Sequence, residues 1–289
     1  MKEARIIAIG DNVVDKYISR GTMYPGGQCV NTCVYSKMNG GNPAYLGKFG
    51  DDAVAEYNCR ILTQLGIDYS HSRHFHGENG AARVTLQDGD RVFLGSNRGG
   101  VAKEHPFDFT EEDMKYISSY QMIYTNTNSY IYDDLAALAD TGVPIAFDFS
   151  TVWDDELLAR VCPNLSVALL SCAHLTEQER EAEMKKVAEY GVKLVVGTVG
   201  EEGSYALYDG EMIHAKAYRA EKVLDTMGAG DSYFATMMTT LLQDEGELFE
   251  QDHDKMIKRL IVAMDCGAAF AAKVCCMEGA FGYGTAIVD

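Results

Sequence analysis

The chain has 289 residues, 47% hydrophobic and 24% charged, which fits one globular α/β domain over residues 1–289. The net charge of −18 argues against a nucleic-acid partner, although a local cradle of amides can still hold a nucleotide. No apolar run approaches the roughly 18 residues of a membrane span, and the charged N-terminus is unlike a signal peptide, so we expect a cytoplasmic protein with no membrane partner.

Short apolar runs alternate with amphipathic segments along the chain. We predict strands at residues 6–9, 44–49, 122–125, 145–149, 167–170 and 194–196. We predict helices at residues 30–38, 53–65, 111–118, 132–140, 154–160 and 177–190. This alternation is typical of parallel strands covered by helices on both faces.

Two segments depart from this alternation. Residues 81–86 and 91–94 flank the turn-forming Asp88-Gly89-Asp90 and predict a hairpin, and residues 16–24 are extended. We expect these segments to form a small antiparallel patch attached to the main sheet.

Polar residues follow the first strand, and a glycine pair precedes the first helix. Asp11 and Asp15 lie after the carboxyl end of that strand, where open α/β sheets bind ligands. Gly26 and Gly27 let the backbone approach a ligand closely, and Asn31 lies about one helical turn further on. This set suits a polyhydroxyl ligand; alternatively, Asp11 only forms a turn and Asp15 is solvated.

Small residues follow a later strand, at Thr198, Gly200 and Gly203. They suit the wall of a nucleotide site, and a plain hairpin turn explains them equally well. No G-x-x-x-x-G-K-[ST] sequence occurs, and residues 228–230 lack the third glycine of a dinucleotide fingerprint. These absences argue against a P-loop ATPase and an NAD dehydrogenase.

The most informative segment is Asp-Thr-Met-Gly-Ala-Gly-Asp-Ser at residues 225–232, which runs into an apolar-periodic stretch. The amides of Gly228, Ala229 and Gly230 would then lie at a helix N-terminus, where unpaired N–H groups and the helix dipole favour an anion. Asp231 could accept a proton from a hydroxyl that attacks a phosphate held there. The segment indicates phosphoryl transfer to an alcohol, and a tight turn with Asp231 as a helix-capping residue is the alternative.

The cysteines and histidines do not indicate a metal site. The eight cysteines include no Cys-x-x-Cys pair, so we expect reduced thiols rather than zinc ligands or disulfides. The histidines of residues 71–76 lack cysteines or paired carboxylates at ligand spacing, and we interpret this segment as a solvated loop.

The order of these motifs resembles the ribokinase/PfkB family of sugar kinases over essentially the whole chain. The matching motifs are Gly-Gly-x-x-x-Asn near residue 30, Thr-x-Gly-x-x-Gly near 200 and Asp-Thr-x-Gly-Ala-Gly-Asp near 230. The Gly-Asp-Asn-x-x-Asp start and the strand at 146–150 are similar to the fructoselysine 6-kinase branch. The resemblance implies a three-layer α/β/α fold with a mostly parallel sheet and a small β-lid from about 16–25 and 80–98.

The resemblance also implies roles for individual residues. Asp231 would be the general base, and the amides of residues 228–230 would form an anion hole. The implied sugar contacts are Asp15, Gly26, Gly27 and Asn31, and the implied ATP contacts are Thr198, Gly200 and Gly203. The family further implies Mg²⁺, a monovalent cation such as K⁺ beside Asp225 and Met227, and a homodimer formed through the lid.

One family motif is missing. Most members carry Asn-x-x-Glu after a central strand, linked to Mg²⁺ and phosphate, but residues 170–174 contain neither Asn nor Glu. Glu177 would substitute if the following helix starts later. The departure also motivates an alternative in which the protein is a non-catalytic sugar or nucleotide sensor.

The predicted lid carries positive charge, at Arg83, Arg91 and Arg98. If Arg83 or Arg98 faces inward, it would pair with a substrate carboxylate; otherwise these arginines are solvated residues of a strand edge. We therefore expect a fructosamine acid such as fructoselysine, with a sugar acid or a ketohexose as the alternative substrate.

Overall fold

Strands and helices alternate through most of the chain. The computed structural model describes residues 2–87 and 90–288, and for residues 86, 87, 90 and 91 it describes the backbone alone. The described strands are β1 (Ile6–Gly10), β2 (Val13–Tyr17), β3 (Thr22–Gly26), β4 (Ala44–Phe49), β5 (Arg73–His74), β6 (Gly80–Gln87), β7 (Asp90–Ser96), β8 (Met122–Asn126), β9 (Ile145–Asp148), β10 (Val167–Ser171), β11 (Leu194–Thr198), β12 (Ser204–Tyr208), β13 (Glu211–Ala215) and β14 (Thr285–Ala286). The described α-helices are α1 (Gln28–Met38), α2 (Ala53–Leu65), α3 (Val101–Glu104), α4 (Glu111–Ile117), α5 (Leu135–Ala139), α6 (Asp155–Val161), α7 (Glu177–Glu189), α8 (Ala229–Glu245) and α9 (His253–Val274).

The main sheet is mostly parallel. Within the described residues its order is β13-β12-β11-β10-β9-β8-β1-β4-β5. All neighbours pair in parallel except β11 with β12 and β12 with β13, which form an antiparallel edge. None of the described helices has both the length and the apolarity needed to cross a bilayer.

Two hydrophobic cores lie on the two faces of this sheet. Successive residues of a strand point to opposite faces. Accordingly, Ile6 and Ala8 join the core that contains residues of α1, α8 and α9, whereas Ile7 and Ile9 join the core formed with α4 to α7. The predicted three-layer α/β/α architecture is confirmed.

Helix ends follow local sequence signals. The side chain of Asp52 accepts a hydrogen bond of 2.8 Å from the Ala55 amide at the start of α2, and Gly66 ends that helix with a left-handed φ of 62°. The predicted helix at 132–140 is shorter than expected. Residues ahead of α5 form a turn instead, in which Tyr130 has a φ of 52° and the Tyr132 hydroxyl donates to the Thr127 carbonyl.

A second, smaller sheet contains the segments that we predicted to form a lid. Its order among the described residues is β14-β3-β2-β6-β7. It differs from the expected antiparallel patch in two respects, because β2 pairs with β6 in parallel and this sheet is separate from the main one. Between β2 and β6 the chain passes through β3, α1, β4, α2 and β5, and this long crossover allows the parallel pairing. Asp88 and Gly89, the predicted turn, lie outside the described residues.

Residues 71–76 do not form the solvated loop that we predicted. Arg73 and His74 form β5, which pairs with β4 at the sheet edge. His71 Nδ1 and Arg73 Nη2 each lie 2.8 Å from a carboxylate oxygen of Asp113, and Thr110 shares a capping box with Asp113 at the start of α4. His71 and Arg73 therefore link the sheet edge to α4 through Asp113. The local sequence pattern does not reveal this long-range contact.

Replacing Asp113 with alanine is expected to lower the free energy of unfolding by about 2 kcal/mol at pH 7, because it removes hydrogen bonds to a charged, largely buried group. Burial raises the pKa of Asp113, but hydrogen bonds from His71 and Thr110 and the charge of Arg73 outweigh it and lower this pKa to about 2. The carboxylate of Asp113 therefore adds to the free energy of unfolding at pH values above the ordinary pKa of an aspartic acid, and this stabilisation is lost as the pH falls towards 2. Urea unfolding at several pH values measures this, with Asp133→Ala, which removes an exposed ion pair with Arg160, as a control of small effect.

Candidate active site

Asp11 holds the start of α1 beneath the carboxyl edge of the sheet. Its carboxylate accepts hydrogen bonds from the amides of Gln28 (2.8 Å) and Cys29 (3.1 Å) and from Asn126 Nδ2 (2.7 Å). Both oxygens are thus engaged with α1 and β8, and the side chain is buried. The carboxylate thus orders the start of α1, and its predicted contact with substrate stays a prediction.

The glycine pair leaves room for Asp15 and for the backbone of the first loop. Gly27 has a φ of 98°, and a Cβ there would lie 3.0 Å from both Asn12 Cα and a carboxylate oxygen of Asp11. A Cβ on Gly26 would lie 2.9 Å from Asp15 Oδ2. The structure therefore brings Gly26, Gly27 and Asp15 together, and a side chain on either glycine would displace a carboxylate.

A hydrogen bond joins Asn31 of α1 to Asp231 of α8. Asn31 Nδ2 donates to Asp231 Oδ2 over 2.6 Å. Asn31 is only 4% exposed, and its Oδ1 is buried without a hydrogen-bond partner among the described residues. Because a buried carbonyl oxygen without a donor is costly, Asn31 Oδ1 is suited to accept a hydrogen bond from a ligand hydroxyl beside Asp231.

The loop before Asp231 forms the N-terminus of α8, as predicted. Gly228 caps the helix with a left-handed φ of 73°, and a Cβ there would collide with the hydroxyl of Tyr35. A Cβ on Gly230 would meet nothing within 4 Å, so this turn faces open space. First-turn amides and the helix dipole at such an end favour an anion.

A cavity of about 820 Å³ lies beside this helix end. Ala229 and Gly230 line it, together with the predicted nucleotide residues Thr198, Gly200 and Gly203. The structure thus brings together two motifs that lie about 30 positions apart in the sequence. Other walls, which we did not predict, come from residues 217–221 and from small side chains of α9, namely Ala268, Ala271 and Ala272.

The turn between β11 and β12 forms a hairpin and also borders the cavity. Gly203 has a φ of 106°, and a Cβ there would collide with the backbone of β13 and the residues that follow it, so this glycine is required by the hairpin. The same turn also borders the cavity, so a hairpin and a ligand wall are compatible here.

A second carboxyl, Asp148 at the end of β9, lies near Asp231. It is 3% exposed and accepts hydrogen bonds from Gln28 Nε2 (2.7 Å) and from the Ser150 amide (2.6 Å). Burial and then the charge of Asp231 raise the pKa of Asp148 to about 7. A proton on Asp148 therefore removes a like charge beside Asp231 near neutral pH. The apolar residues before Asp148 predicted the strand, but not that its carboxyl lies near Asp231.

The residues predicted to bind metal are dispersed. Glu177 is the exposed first residue of α7. Asp225 accepts hydrogen bonds from the Met227 amide (3.0 Å) and from the Tyr17 hydroxyl (2.6 Å). Among the described residues, no group of three or more His, Cys, Asp or Glu side chains could hold a metal ion, and the metal contacts of Glu177, Asp225 and Met227 stay predictions.

The two described lid arginines differ in position. Arg83 pairs in register with Lys16, whereas Ala82 pairs with Asp15, so Arg83 lies on the opposite face of the lid from Asp15. Of the two alternatives for Arg83, this pairing favours the solvated residue of a strand edge over the substrate contact. Arg98 follows β7 with a left-handed φ of 56°, and its carbonyl accepts a hydrogen bond of 2.6 Å from the Tyr130 hydroxyl. The side chain of Arg91, the third predicted arginine, lies outside the described residues.

The sequence is similar to those of known sugar kinases. The sequence pattern of the "pfkB family carbohydrate kinase" matches residues 3–281. The chain is 37% identical over 281 residues to fructosamine kinase FrlD of Bacillus subtilis, covering 97% of this chain and 94% of that protein. It is 35% identical over 230 residues to fructoselysine 6-kinase of Escherichia coli, covering 80% and 86%.

Solved structures share the fold at lower identity. Ribokinase from Giardia lamblia superimposes with a TM-score of 0.82 at 14% identity, over 96% of this chain and 95% of that one. Arabidopsis thaliana ribokinase, solved with ribose and ATP, gives a TM-score of 0.76 at 19% identity, over 97% and 95%. With the family pattern spanning nearly all residues and two relatives above one-third identity, the chain belongs to the pfkB family of carbohydrate kinases.

Proposed function

We propose that this kinase transfers the γ-phosphoryl group of ATP to a primary hydroxyl of a fructosamine acid of the fructoselysine type. The observation that carries the proposal is the Asn31–Asp231 hydrogen bond at the N-terminus of α8. It lies beside a cavity lined by the turn at residues 198–203 and by Gly230. The names of the two relatives support the substrate class.

In the proposed mechanism, Asp231 accepts the proton of the attacking hydroxyl. A hydroxyl is a poor nucleophile near neutral pH, so proton removal by a positioned carboxylate contributes about 10²- to 10⁴-fold to the rate. Asn31 fixes one oxygen of Asp231. The amides of residues 228–230 would stabilise the negative charge that develops on the transferred phosphoryl group.

Substrate and nucleotide are proposed to occupy opposite sides of Asp231. Asp15, Gly26, Gly27 and Asn31 would contact the sugar hydroxyls. Thr198, Gly200 and Gly203 would line the ATP site, and the cavity of about 820 Å³ that they share with Gly230 supports this assignment.

We propose Mg²⁺ as a cofactor that would bind together with the nucleotide and neutralise phosphate charge. Glu177, at the start of α7, is its proposed protein partner, and Asp225 and Met227 are the proposed neighbours of a monovalent cation such as K⁺. No step of the proposed mechanism depends on these ions.

We also propose a cytoplasmic homodimer that forms through the lid. The lid exposes large apolar side chains, since Ile18 is 41% exposed and Phe93 is 64% exposed. Burial of such side chains against a second copy would stabilise the dimer.

Arg98 is the proposed selectivity residue, because Tyr130 holds its backbone at the junction of lid and main sheet. Arg98→Ala should lower kcat/KM for fructosyl-lysine by about tenfold or more, mainly through KM, and leave kcat/KM for fructose nearly unchanged, since only the adduct carries a carboxylate for the guanidinium. A coupled ADP-release assay with both sugars measures this ratio.

Arg83→Ala is the matched control, because Arg83 is also exposed on the lid but lies on the face opposite Asp15. Arg83→Ala should leave the ratio of kcat/KM for fructosyl-lysine to kcat/KM for fructose unchanged. An Arg98→Ala enzyme that loses both sugars equally, or neither, would refute the proposed selectivity contact.

A further inference from the structure

Tyr17 and Asp15 share one face of the lid strand β2. They are two residues apart, so their side chains point to the same side of the sheet. Asp15 is 8% exposed and Tyr17 is fully buried. The Tyr17 ring packs edge-on against Tyr24, with ring centroids 5.3 Å apart, and forms a small cluster with Tyr24 and Val84. Packing within the lid therefore fixes the direction of the Tyr17 hydroxyl.

That hydroxyl reaches the loop that leads into α8. It donates to Asp225 Oδ2 over 2.6 Å, while Asp225 Oδ1 accepts a hydrogen bond of 3.0 Å from the Met227 amide. A hydrogen bond to a carboxylate is stronger than one between neutral groups. One carboxylate thus connects the lid to the backbone immediately before Gly228.

The segment on the N-terminal side of Asp225 has little packing to hold it. Residues 221–224 are exposed, and the amides of Leu224 and Asp225 both approach the Cys275 carbonyl, at 2.8 and 3.4 Å. The hydrogen bond from Tyr17 to Asp225 therefore adds a side-chain contact from the lid to these two backbone contacts of the loop.

We propose that Tyr17 is a positioning residue that couples the sugar lid to the phosphate-binding loop. One strand carries Asp15 towards the sugar and Tyr17 to Asp225, so a sugar that holds β2 in place also stabilises the Tyr17–Asp225 hydrogen bond and, through it, the order of residues 225–230. The part that concerns the sugar rests on the proposed function of Asp15. The coupling predicts that sugar and nucleotide each strengthen the binding of the other. The sugar orders residues 225–230, which the nucleotide requires, and the nucleotide orders the lid, which the sugar requires.

The test is Tyr17→Phe, which keeps the ring and removes only the hydroxyl. Without ligands, hydrogen exchange of the amides in residues 224–230 should become faster by about tenfold, the factor expected from losing a hydrogen bond to a charged acceptor. In the wild type, saturating fructosyl-lysine should tighten ADP binding by about fivefold or more by calorimetry, and Tyr17→Phe should bring this factor close to one.

Tyr24→Phe is the control, since Tyr24 lies in the same cluster but donates to Glu278 instead. Tyr24→Phe should change neither the hydrogen exchange of residues 224–230 nor the effect of fructosyl-lysine on ADP binding. Unchanged exchange in Tyr17→Phe, or a wild-type enzyme that binds both ligands without coupling, overturns the inference. If the wild type does not bind fructosyl-lysine while Tyr17→Phe still loosens the loop, the proposed substrate is wrong and the positioning role of Tyr17 stands.

Discussion

Replacing Asp231 with asparagine is expected to lower kcat by about 10²- to 10⁴-fold, the usual contribution of a general base. Asparagine has nearly the same shape and can still meet the Asn31 side chain, but it cannot accept the proton of the attacking hydroxyl. The affinity for ADP and the melting temperature should change little, because Asp231 lies in the first turn of α8 and is only partly buried. Steady-state kinetics, calorimetry and thermal unfolding of one preparation measure all three.

Glu245→Gln is the control for Asp231→Asn. Glu245 is the last residue of α8 and forms an exposed ion pair with Lys255, so its amide variant should retain wild-type kcat. If Asp231→Asn retains activity within about tenfold of the wild type, Asp231 is not the base.

Replacing Asn31 with alanine is expected to lower kcat/KM by about 10²-fold. The change removes a hydrogen bond of 2.6 Å to the Asp231 carboxylate and the buried Oδ1 that is suited to a substrate hydroxyl. A hydrogen bond to a charged group contributes about 1.5–3 kcal/mol, and the loss of two contacts in one site gives a factor of this size. Initial rates at varied sugar concentration separate the effects on kcat and KM.

Asn39→Ala is a matched control for Asn31→Ala. Asn39 lies at the other end of α1, and its Nδ2 also bridges to α8, where it meets Thr236 Oγ1 at 3.0 Å. Both variants remove an amide that joins the two helices, so both should lower the melting temperature, but only Asn31→Ala should lose activity. Equal loss of activity in both variants would mean that Asn31 acts through helix packing alone.

The main sheet could be predicted because its strands are buried on both faces. Such strands appear as largely apolar runs, and β4 matches the predicted strand residue for residue although it contains Lys48. Asp52 and Gly66 cap the two ends of α2 by local contacts, and the predicted bounds of this helix match the structure. By contrast, β5 has only two residues and owes its place to the pairing of His71 and Arg73 with Asp113, about 40 positions away, so the sequence suggested a loop.

The candidate site was predictable where its chemistry lies within one segment. Residues 225–232 contain the helix cap, the open turn and Asp231 together, and the structure keeps them together. Contacts between segments were not predictable. The sequence left the orientation of Arg83 open because that orientation depends on the register of β2 and β6. The Tyr17–Asp225 bond spans 208 positions, and nothing near either residue signals it.

The most direct measurement is a competition in one vessel. The wild-type enzyme is supplied with ATP, Mg²⁺ and equal concentrations of fructosyl-lysine and fructose, and the phosphorylated products are quantified by mass spectrometry. We predict that the adduct carries nearly all of the transferred phosphate, on its primary hydroxyl. The Asp231→Asn variant should form almost no phosphorylated sugar. Equal phosphorylation of the two sugars, or ADP binding without any phosphorylated product, would contradict it.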